Sequence, residues 1–142
     1  MNTYLIAIIL NAAKAASVPG WLFLAICNHE SGLVPSAIVH NDGGSPSIGL
    51  CQIKKGTAQS LGFKGTQKDL LNPKTNAKYA ALYLKSQLNK YGSLCKGVAA
   101  YNSGTYNEHK IQHIPRNIKY VHKIQALLDN DKKELLNCRK QK

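Results

Sequence analysis

The sequence predicts an all-α fold in a single domain that spans residues 1–142. Apolar residues recur at helical spacing in several segments, whereas the alternation typical of strands is scarce. A chain of 142 residues, of which 44% are hydrophobic, can build one compact core and leaves little room for another. Periodicity therefore predicts the fold class, and length predicts the number of domains.

Helix start and stop residues divide the first half of the chain. Tyr4 to Ala16 is predicted to form an apolar helix, and Ser17 with Pro19 starts a second helix that ends at about Ser31, before a glycine. Residues 32–53 are expected to be loop or short extended structure.

The second half contains three further predicted helices. Asn72 and Pro73 start a central helix, and Ser93 caps the next one, which runs through Ala100. Pro115 opens a last long helix to Leu136, whose apolar face comprises Ile118, Val121, Ile124 and Leu128. Residues 132–142 form a basic tail that we expect to be frayed.

The positive charge is concentrated in one part of the chain. The charged residues of segment 1–53 are Lys14, Glu30 and Asp42, so this segment has a net charge of −1. Residues 54–142 therefore have a net charge of +13, and the whole chain has +12. A surface of this kind suits an anionic partner such as nucleic acid, membrane headgroups or the bacterial wall. An ordinary solvated surface explains the charge equally well.

The four cysteines, Cys27, Cys51, Cys95 and Cys138, are not spaced as closely as zinc ligands. Oxidised, they allow three complete pairings. Two of them lie within helical apolar patterns, so we expect buried free thiols in a reducing compartment, with disulfides as the alternative.

Glu30 is the carboxylate best placed for chemistry. It follows Phe23, Ile26 and Cys27 at spacings of seven, four and three residues, which puts it on the apolar face in the last turn of its helix. Partial desolvation and the helix dipole are both expected to raise the pKa of Glu30. A neutral carboxylic acid can protonate the oxygen that leaves during glycoside cleavage. The alternative is a buried glutamate that only accepts structural hydrogen bonds.

Three ordered motifs then point to a family: 29–32 (HESG), 49–53 (GLCQI) and 100–104 (AYNSG). Together they resemble the soluble lytic transglycosylase and goose-type lysozyme family, including its small phage-endolysin-like members. The match extends from the first helix to Tyr120 and includes Asn72 and Pro73. It departs from the family at Cys51, where methionine is common, and in the loop 40–46.

The resemblance implies a lysozyme-like helical domain with a substrate cleft and with Glu30 as the catalytic residue at a helix end. Ser31 would then form hydrogen bonds within the site, and Gln52 would contact the substrate. Tyr101 and Asn102 would line the cleft, and Tyr120 would face the glutamate. Without the resemblance, the tyrosines are equally well explained as core aromatics and Gln52 as a loop cap.

The same resemblance implies cleavage of the β-1,4 bond between N-acetylmuramic acid and N-acetylglucosamine. If Glu30 acts alone, the muramic acid 6-hydroxyl attacks its own anomeric carbon and the product is a 1,6-anhydro sugar. If Asp42 acts as a second carboxylate, water attacks and the enzyme is a hydrolytic muramidase. We favour the anhydro product and assign Asp42 to a turn.

A metal enzyme is the first competing interpretation. His29 and Glu30 match half of a zinc motif, but Leu33 stands where that motif needs a second histidine. His109 and His113 are four residues apart, but Pro115 interrupts their helix. We therefore expect neither a metal nor an organic cofactor.

A basic binding module is the second competing interpretation, and the last helix with its tail is where we expect any membrane activity. No nucleic-acid recognition motif is present. We expect a monomer that binds peptidoglycan strands and contacts the anionic cell envelope through its basic half, without specific nucleic-acid binding.

The expected cellular setting rests on the first apolar segment. Tyr4 to Leu10 makes a poor signal peptide and is too short to span a bilayer. We therefore expect a small lysin of phage type, which stays in the cytoplasm of the producing cell until it reaches the wall. A secreted enzyme is the alternative.

Overall fold

The computed structural model describes residues 2–139, apart from the side chains of Asn41 and Asp42. The described residues form eight helices and one three-stranded sheet, so the mainly helical fold class is confirmed. The elements are α1 (Thr3–Ala16), α2 (Gly20–Ser31), β1 (Ile38–Asp42), β2 (Ser45–Ile48), β3 (Ile53–Lys54), α3 (Lys55–Ser60), α4 (Gln67–Leu70), α5 (Pro73–Tyr91), α6 (Leu94–Ser103), α7 (Ile118–Gln125) and α8 (Asn130–Leu135).

Local chemistry sets the ends of the first two helices, and the end of α2 before Gly32 is as predicted. The side chain of Asn2 accepts a hydrogen bond from the amide of Leu5 at 3.1 Å and caps α1. Gly32 ends α2 in the left-handed region at φ 65°, where a side chain would be strained. The prediction that Ser17 starts the second helix is wrong: Ser17 ends α1 in the same left-handed region at φ 57°, and Pro19 is the N-cap residue of α2. The short link between the two helices lets them pack against each other.

The segment expected to be loop or short extended structure contains an antiparallel sheet in the order β1-β2-β3. Gly43 and Gly44 form the turn between β1 and β2, with φ of 65° and 91°, which two-residue hairpin turns require. Ile48 pairs with Ile38 on one side and with Ile53 on the other. The chain that joins β2 to β3 is the 49–52 turn, which carries the GLCQ part of the second motif.

Two short helices between the sheet and α5 were not predicted. The second, α4, has a capping box in which Thr66 and Asp69 each bind the backbone amide of the other. These hydrogen bonds from Thr66 lower the pKa of the Asp69 carboxyl. The box is a readable signal, but α4 has only four residues and lacks a helical apolar pattern.

The chain divides into two compact units, Met1–Tyr83 and Leu84–Lys142, and the boundary falls within α5. Whether residues 1–142 fold as one domain stays a prediction. In the second unit, α6 approaches the end of α5 closely at Gly97, where an added Cβ would lie 3.0 Å from the Cα of Leu88. In the described part of the chain, no helix is both long enough and apolar enough to cross a membrane.

The prediction of one long last helix is wrong. The helical segment ends at Gln125 and a second one begins at Asn130, although the buried positions Ile124, Leu128 and Leu136 keep the expected spacing. Asp129 stands before α8 as its N-cap residue, a position that aspartate favours over a helix interior.

The expectation of a frayed tail is also wrong for most of its length. Residues 130–135 are helical, Leu136 is buried, and Cys138 is bonded to Cys95. Residues 140–142 of the predicted tail lie outside the described residues.

The expectation of free thiols is wrong as well, because all four cysteines are in disulfides. Cys27 is bonded to Cys51, 24 residues away, and Cys95 to Cys138, 43 residues away. Helical spacing correctly places Cys27 in a buried face, but pairing depends on which segments meet in three dimensions, and spacing does not carry that information.

Candidate functional site

Glu30 and Ser31 are the last two residues of α2. The apolar face that precedes them is fully buried, since Phe23, Ile26 and Cys27 have no exposed surface. Glu30 continues this face where the helix ends and is partly exposed. The carboxylate thus lies where the core meets the protein surface, as its sequence position predicts.

Ser31 joins the end of α2 to the 49–52 turn. Its hydroxyl donates a hydrogen bond to the carbonyl of Leu50 at 2.6 Å and accepts one from the amide of Val34 at 3.1 Å. The first bond holds the turn against the helix end, and the second holds the chain that leaves it. Ser31 therefore fixes the position of the residues around Glu30.

A covalent bond strengthens the same junction. The disulfide between Cys27 and Cys51 joins the turn of α2 before Glu30 to the residue before Gln52. Both cysteines are fully buried. The helix end and the turn are thus held together by a disulfide and a short hydrogen bond.

Gln52 lies in this turn in the left-handed region, at φ 55°, which is costly for a residue with a side chain. Its side-chain nitrogen donates to the carbonyls of Ala37 and Gly49, both at 3.0 Å. Backbone strain of this kind clusters at functional sites. The substrate contact of Gln52 stays a prediction, and its side-chain oxygen is the atom that these two bonds do not use.

Asn76, on α5, is a site residue that the sequence reasoning missed. It is completely buried, accepts a hydrogen bond from the amide of Cys51 at 2.9 Å, and donates to the carbonyls of Ile48 and Leu70 at 2.7 and 2.9 Å. It therefore holds both ends of the 49–52 turn. The available signal was an asparagine next to Ala77 on the apolar face of a predicted helix.

Asp42, the second candidate carboxylate, is the last residue of β1 and pairs through its backbone with Ser45. Its side chain lies outside the described residues. The backbone placement agrees with the turn predicted for this segment, and a catalytic role for Asp42 stays a prediction.

In the second unit, Tyr101 and Asn102 lie near the end of α6. Tyr101 is buried, whereas Asn102 is exposed and accepts a hydrogen bond from the side chain of Asn117 at 3.0 Å. Asn117 also donates to the carbonyl of Ala99 at 2.9 Å, so it orients Asn102 against its own helix. Sequence reasoning missed Asn117, which carries no motif of its own.

Tyr120 lies in the first turn of α7 and is buried, like Tyr101. The burial of both tyrosines fits the alternative that they are core aromatics. Their contacts with the substrate stay predictions. Among the described side chains, which exclude that of Asp42, no three from His, Cys, Asp or Glu lie close enough together to hold a metal ion.

Comparison with known proteins agrees with the motifs. The family model for the transglycosylase SLT domain matches residues 7–122, a range that includes every candidate site residue from Glu30 to Tyr120. The invasion protein IagB of Salmonella typhimurium is 36% identical over 98 residues, which cover 68% of this chain and 61% of IagB. Protein IpgF of Shigella flexneri is 33% identical over 96 residues, which cover 66% of this chain and 63% of IpgF.

These alignments span less than two thirds of the relatives' own lengths. The family match covers well over half of this chain and contains all three motifs in their order. The chain therefore belongs to the family of transglycosylase SLT domains.

Proposed function

We propose that this protein is a lytic transglycosylase that cleaves the β-1,4 bond between N-acetylmuramic acid and N-acetylglucosamine in peptidoglycan, with Glu30 as its acid and base. The observation that carries the proposal is the fixed position of Glu30 within a chain of this family. Ser31, the residue after Glu30, donates a hydrogen bond to the carbonyl of Leu50. Cys27, in the helical turn before Glu30, forms a disulfide with Cys51. Proton transfer needs a carboxyl group held in place in this way.

The reaction uses one carboxyl group twice. Glu30, protonated, donates its proton to the glycosidic oxygen as the bond to the anomeric carbon breaks. The 6-hydroxyl of the same muramic acid residue then forms a new bond to that carbon and gives its proton to the Glu30 carboxylate. The products are a 1,6-anhydro end and a free N-acetylglucosamine end, and Glu30 regains its starting proton.

Hydrolysis is the second candidate course. It requires a second group that directs water to the anomeric carbon, and Asp42 is the carboxylate that follows Glu30 in the chain. Asp42 lies at the end of β1, where its backbone pairs with that of Ser45 beside the hairpin turn. The chemistry of the product ends separates the two courses.

The two disulfides bear on where the protein acts. Disulfides form and persist in oxidising compartments such as the periplasm or the outside of the cell, and they are rare in the cytoplasm. We therefore propose that the folded enzyme acts in an exported state, which was the alternative to a lysin stored in the cytoplasm. A role in phage lysis stays a prediction.

The proposed partner besides the glycan is the anionic cell envelope. Residues 54–142 carry the whole positive net charge of the chain. A basic surface raises the local concentration of an enzyme on an anionic polymer or membrane, and salt weakens this attraction.

The test compares the release of soluble fragments from purified peptidoglycan by the wild type, Glu30→Gln and Glu134→Gln. Glu30→Gln should fold normally and lose about a hundredfold or more of the release rate, because an amide cannot donate the proton. Glu134, an exposed residue of α8, is the matched control and should keep wild-type activity. Activity of Glu30→Gln within about threefold of the wild type would overturn the assignment.

A further inference from the structure

The 107–116 hairpin in the second unit presents an unusual apolar tip. Ile111 is 91% exposed, and the next most exposed large apolar residue among the described ones is Tyr4 at 60%. Single exposed aliphatic residues are ordinary on protein surfaces, so exposure alone carries no conclusion. Two further properties of the hairpin, its order and its charge, set Ile111 apart.

The hairpin is an ordered structure, which explains how it can hold an apolar side chain in water. The amide of Arg116 donates to the carbonyl of Asn107, and the amide of His109 donates to the carbonyl of Ile114, both at 2.8 Å. The amide of His113 donates to the carbonyl of His109 at 2.9 Å and closes the tip. Ile111 is thus presented by a backbone with its own hydrogen bonds.

Side chains at the base of the hairpin fasten it to the second unit. Glu108 accepts hydrogen bonds from the hydroxyl of Tyr106 at 2.9 Å and from the ring of His113 at 3.3 Å. These bonds lower the pKa of the Glu108 carboxyl, so the acid stays ionised and paired. The ring of Tyr106 in turn contacts that of Tyr91 on α5, with centroids 5.9 Å apart.

The surface around Ile111 is cationic. Lys110 directly precedes Ile111. Both residues line a surface depression of about 480 Å³, together with His109, Gln112 and Arg116. Both cations are exposed, and neither forms an ion pair with any described carboxylate. Glu108 is the one acid of residues 107–116, and its partners are Tyr106 and His113.

An apolar tip among exposed cations matches the boundary of an anionic bilayer. There the aliphatic side chain leaves water for the acyl region while lysine and arginine stay at the phosphate headgroups. A glycan strand or an acidic wall polymer would attract the cations but offers no apolar medium for Ile111. An acidic protein surface would need an apolar pocket of matching shape, whereas a bilayer accepts a protruding side chain without one.

We propose that the 107–116 hairpin is a membrane contact, in which Ile111 enters the interface of an anionic bilayer and Lys110 and Arg116 bind its phosphate headgroups. The proposal deepens the envelope contact proposed above and does not depend on glycan cleavage. It moves the membrane-active segment from the last helix and tail, where the sequence analysis expected it, to the loop between α6 and α7. Such a contact would hold the enzyme at the membrane face of the wall.

Co-sedimentation with vesicles tests the proposal, with vesicles of phosphatidylglycerol and phosphatidylcholine compared with pure phosphatidylcholine. The wild type should bind the anionic vesicles and not the neutral ones. Ile111→Ser should weaken binding about threefold to tenfold, and Ile111→Trp should strengthen it, because tryptophan favours the interface. The pair Lys110→Gln with Arg116→Gln should weaken it on the order of tenfold or more.

Leu127→Ser is the matched control, because Leu127 is an exposed aliphatic residue of the same unit, 48% exposed and outside the hairpin. It should bind like the wild type. Equal binding by wild type, Ile111→Ser and Ile111→Trp would overturn the proposal. Binding to neutral vesicles as strong as to anionic ones would overturn the role of the cations.

Two cross-checks separate this proposal from the proposed catalysis. Glu30→Gln should bind anionic vesicles like the wild type, and Ile111→Ser should cleave soluble glycan fragments like the wild type. Loss of vesicle binding in Glu30→Gln would contradict a hairpin contact, because Glu30 is not part of the hairpin. Loss of soluble-fragment cleavage in Ile111→Ser would instead mark Ile111 as part of the substrate site.

Discussion

The hydroxyl of Ser31 donates a hydrogen bond of 2.6 Å to the carbonyl of Leu50, which links the residue after Glu30 to the 49–52 turn. The turn is therefore part of the support for the carboxylate. The disulfide between Cys27 and Cys51 joins the same two segments, because Cys27 precedes Glu30 in α2 and Cys51 lies in the turn. Loss of either link should affect catalysis as well as stability.

Ser31→Ala should lower the free energy of unfolding by about 1–3 kcal/mol, because the partly buried Leu50 carbonyl loses its donor. We expect the cleavage rate to fall by about tenfold or more as Glu30 loses its fixed position. Denaturant unfolding and fragment release measure the two effects. Ser60→Ala, which removes a hydroxyl bonded at 2.6 Å to Thr57 on the exposed surface, is the control and should leave the cleavage rate unchanged.

The two disulfides should differ in their effect on activity. Replacing both cysteines of a pair by serine should lower stability by about 3.5 kcal/mol for Cys27–Cys51 and about 4 kcal/mol for Cys95–Cys138, from the sizes of the loops they close. Cys27 lies three residues before Glu30 in α2, so removal of the first pair should reduce the cleavage rate beyond the loss of folded protein. Equal residual activity per folded molecule in the two variants would contradict a positioning role for Cys27–Cys51.

Substitution of Asn76 should lower stability strongly, although the proposed mechanism gives Asn76 no direct contact with Glu30. Asn76→Asp removes the amide donors to the carbonyls of Ile48 and Leu70 and buries a charge, so we expect a loss of about 3–5 kcal/mol in stability. Asn72→Asp is the matched control. Asn72 is exposed and only accepts hydrogen bonds, from the amides of Lys74 and Thr75.

The melting temperatures of the two asparagine variants, measured by circular dichroism, check this expectation. Asn72→Asp keeps the acceptor at the helix start, where a negative charge is favourable, and should melt within a few degrees of the wild type. An Asn76→Asp protein as stable as Asn72→Asp would show that the 49–52 turn does not depend on Asn76.

Tyr106 should titrate late because burial and the hydrogen bond to Glu108 raise its pKa to about 12, from an ordinary value of 10.0. The stabilisation from neutral Tyr106 is therefore complete below pH 10.0 and is lost as the pH rises toward 12. Phenolate absorbance, as the difference between wild type and Tyr106→Phe, reports this titration.

Glu108→Gln should lower the pKa of Tyr106 but leave it above the ordinary value, because burial, the larger cause, remains. Glu134→Gln serves as the control and should not move the Tyr106 titration. A Tyr106 that titrates normally in the wild type would contradict the burial of Tyr106 and its hydrogen bond to Glu108.

Local signals predicted the parts of the fold that local chemistry controls. Asn72 and Ser93 mark the starts of α5 and α6, and Gly32 marks the end of α2, because caps act within one turn of a helix. The break before Asp129 was missed because the apolar spacing of the buried face continues through it. An aspartate inside a periodic segment can thus start a new helix even where the apolar spacing is unbroken.

The supporting contacts of the candidate site lay beyond such signals. The motifs and the apolar face predicted Glu30, Ser31 and Gln52 as candidate residues, but they did not reveal that Asn76 binds the 49–52 turn or that Cys27 is bonded to Cys51. These partners are 25 and 24 residues apart in the chain, and their meeting is a property of the packed fold.

Mass spectrometry of the fragments released from purified peptidoglycan, by wild type and Glu30→Gln side by side, tests the proposed activity most directly. We expect fragments with 1,6-anhydromuramic ends from the wild type and almost none from the variant. Reducing ends from the wild type would contradict the anhydro course and make Asp42→Asn the next variant to measure. No release by the wild type would contradict glycan cleavage itself and leave a basic binding module.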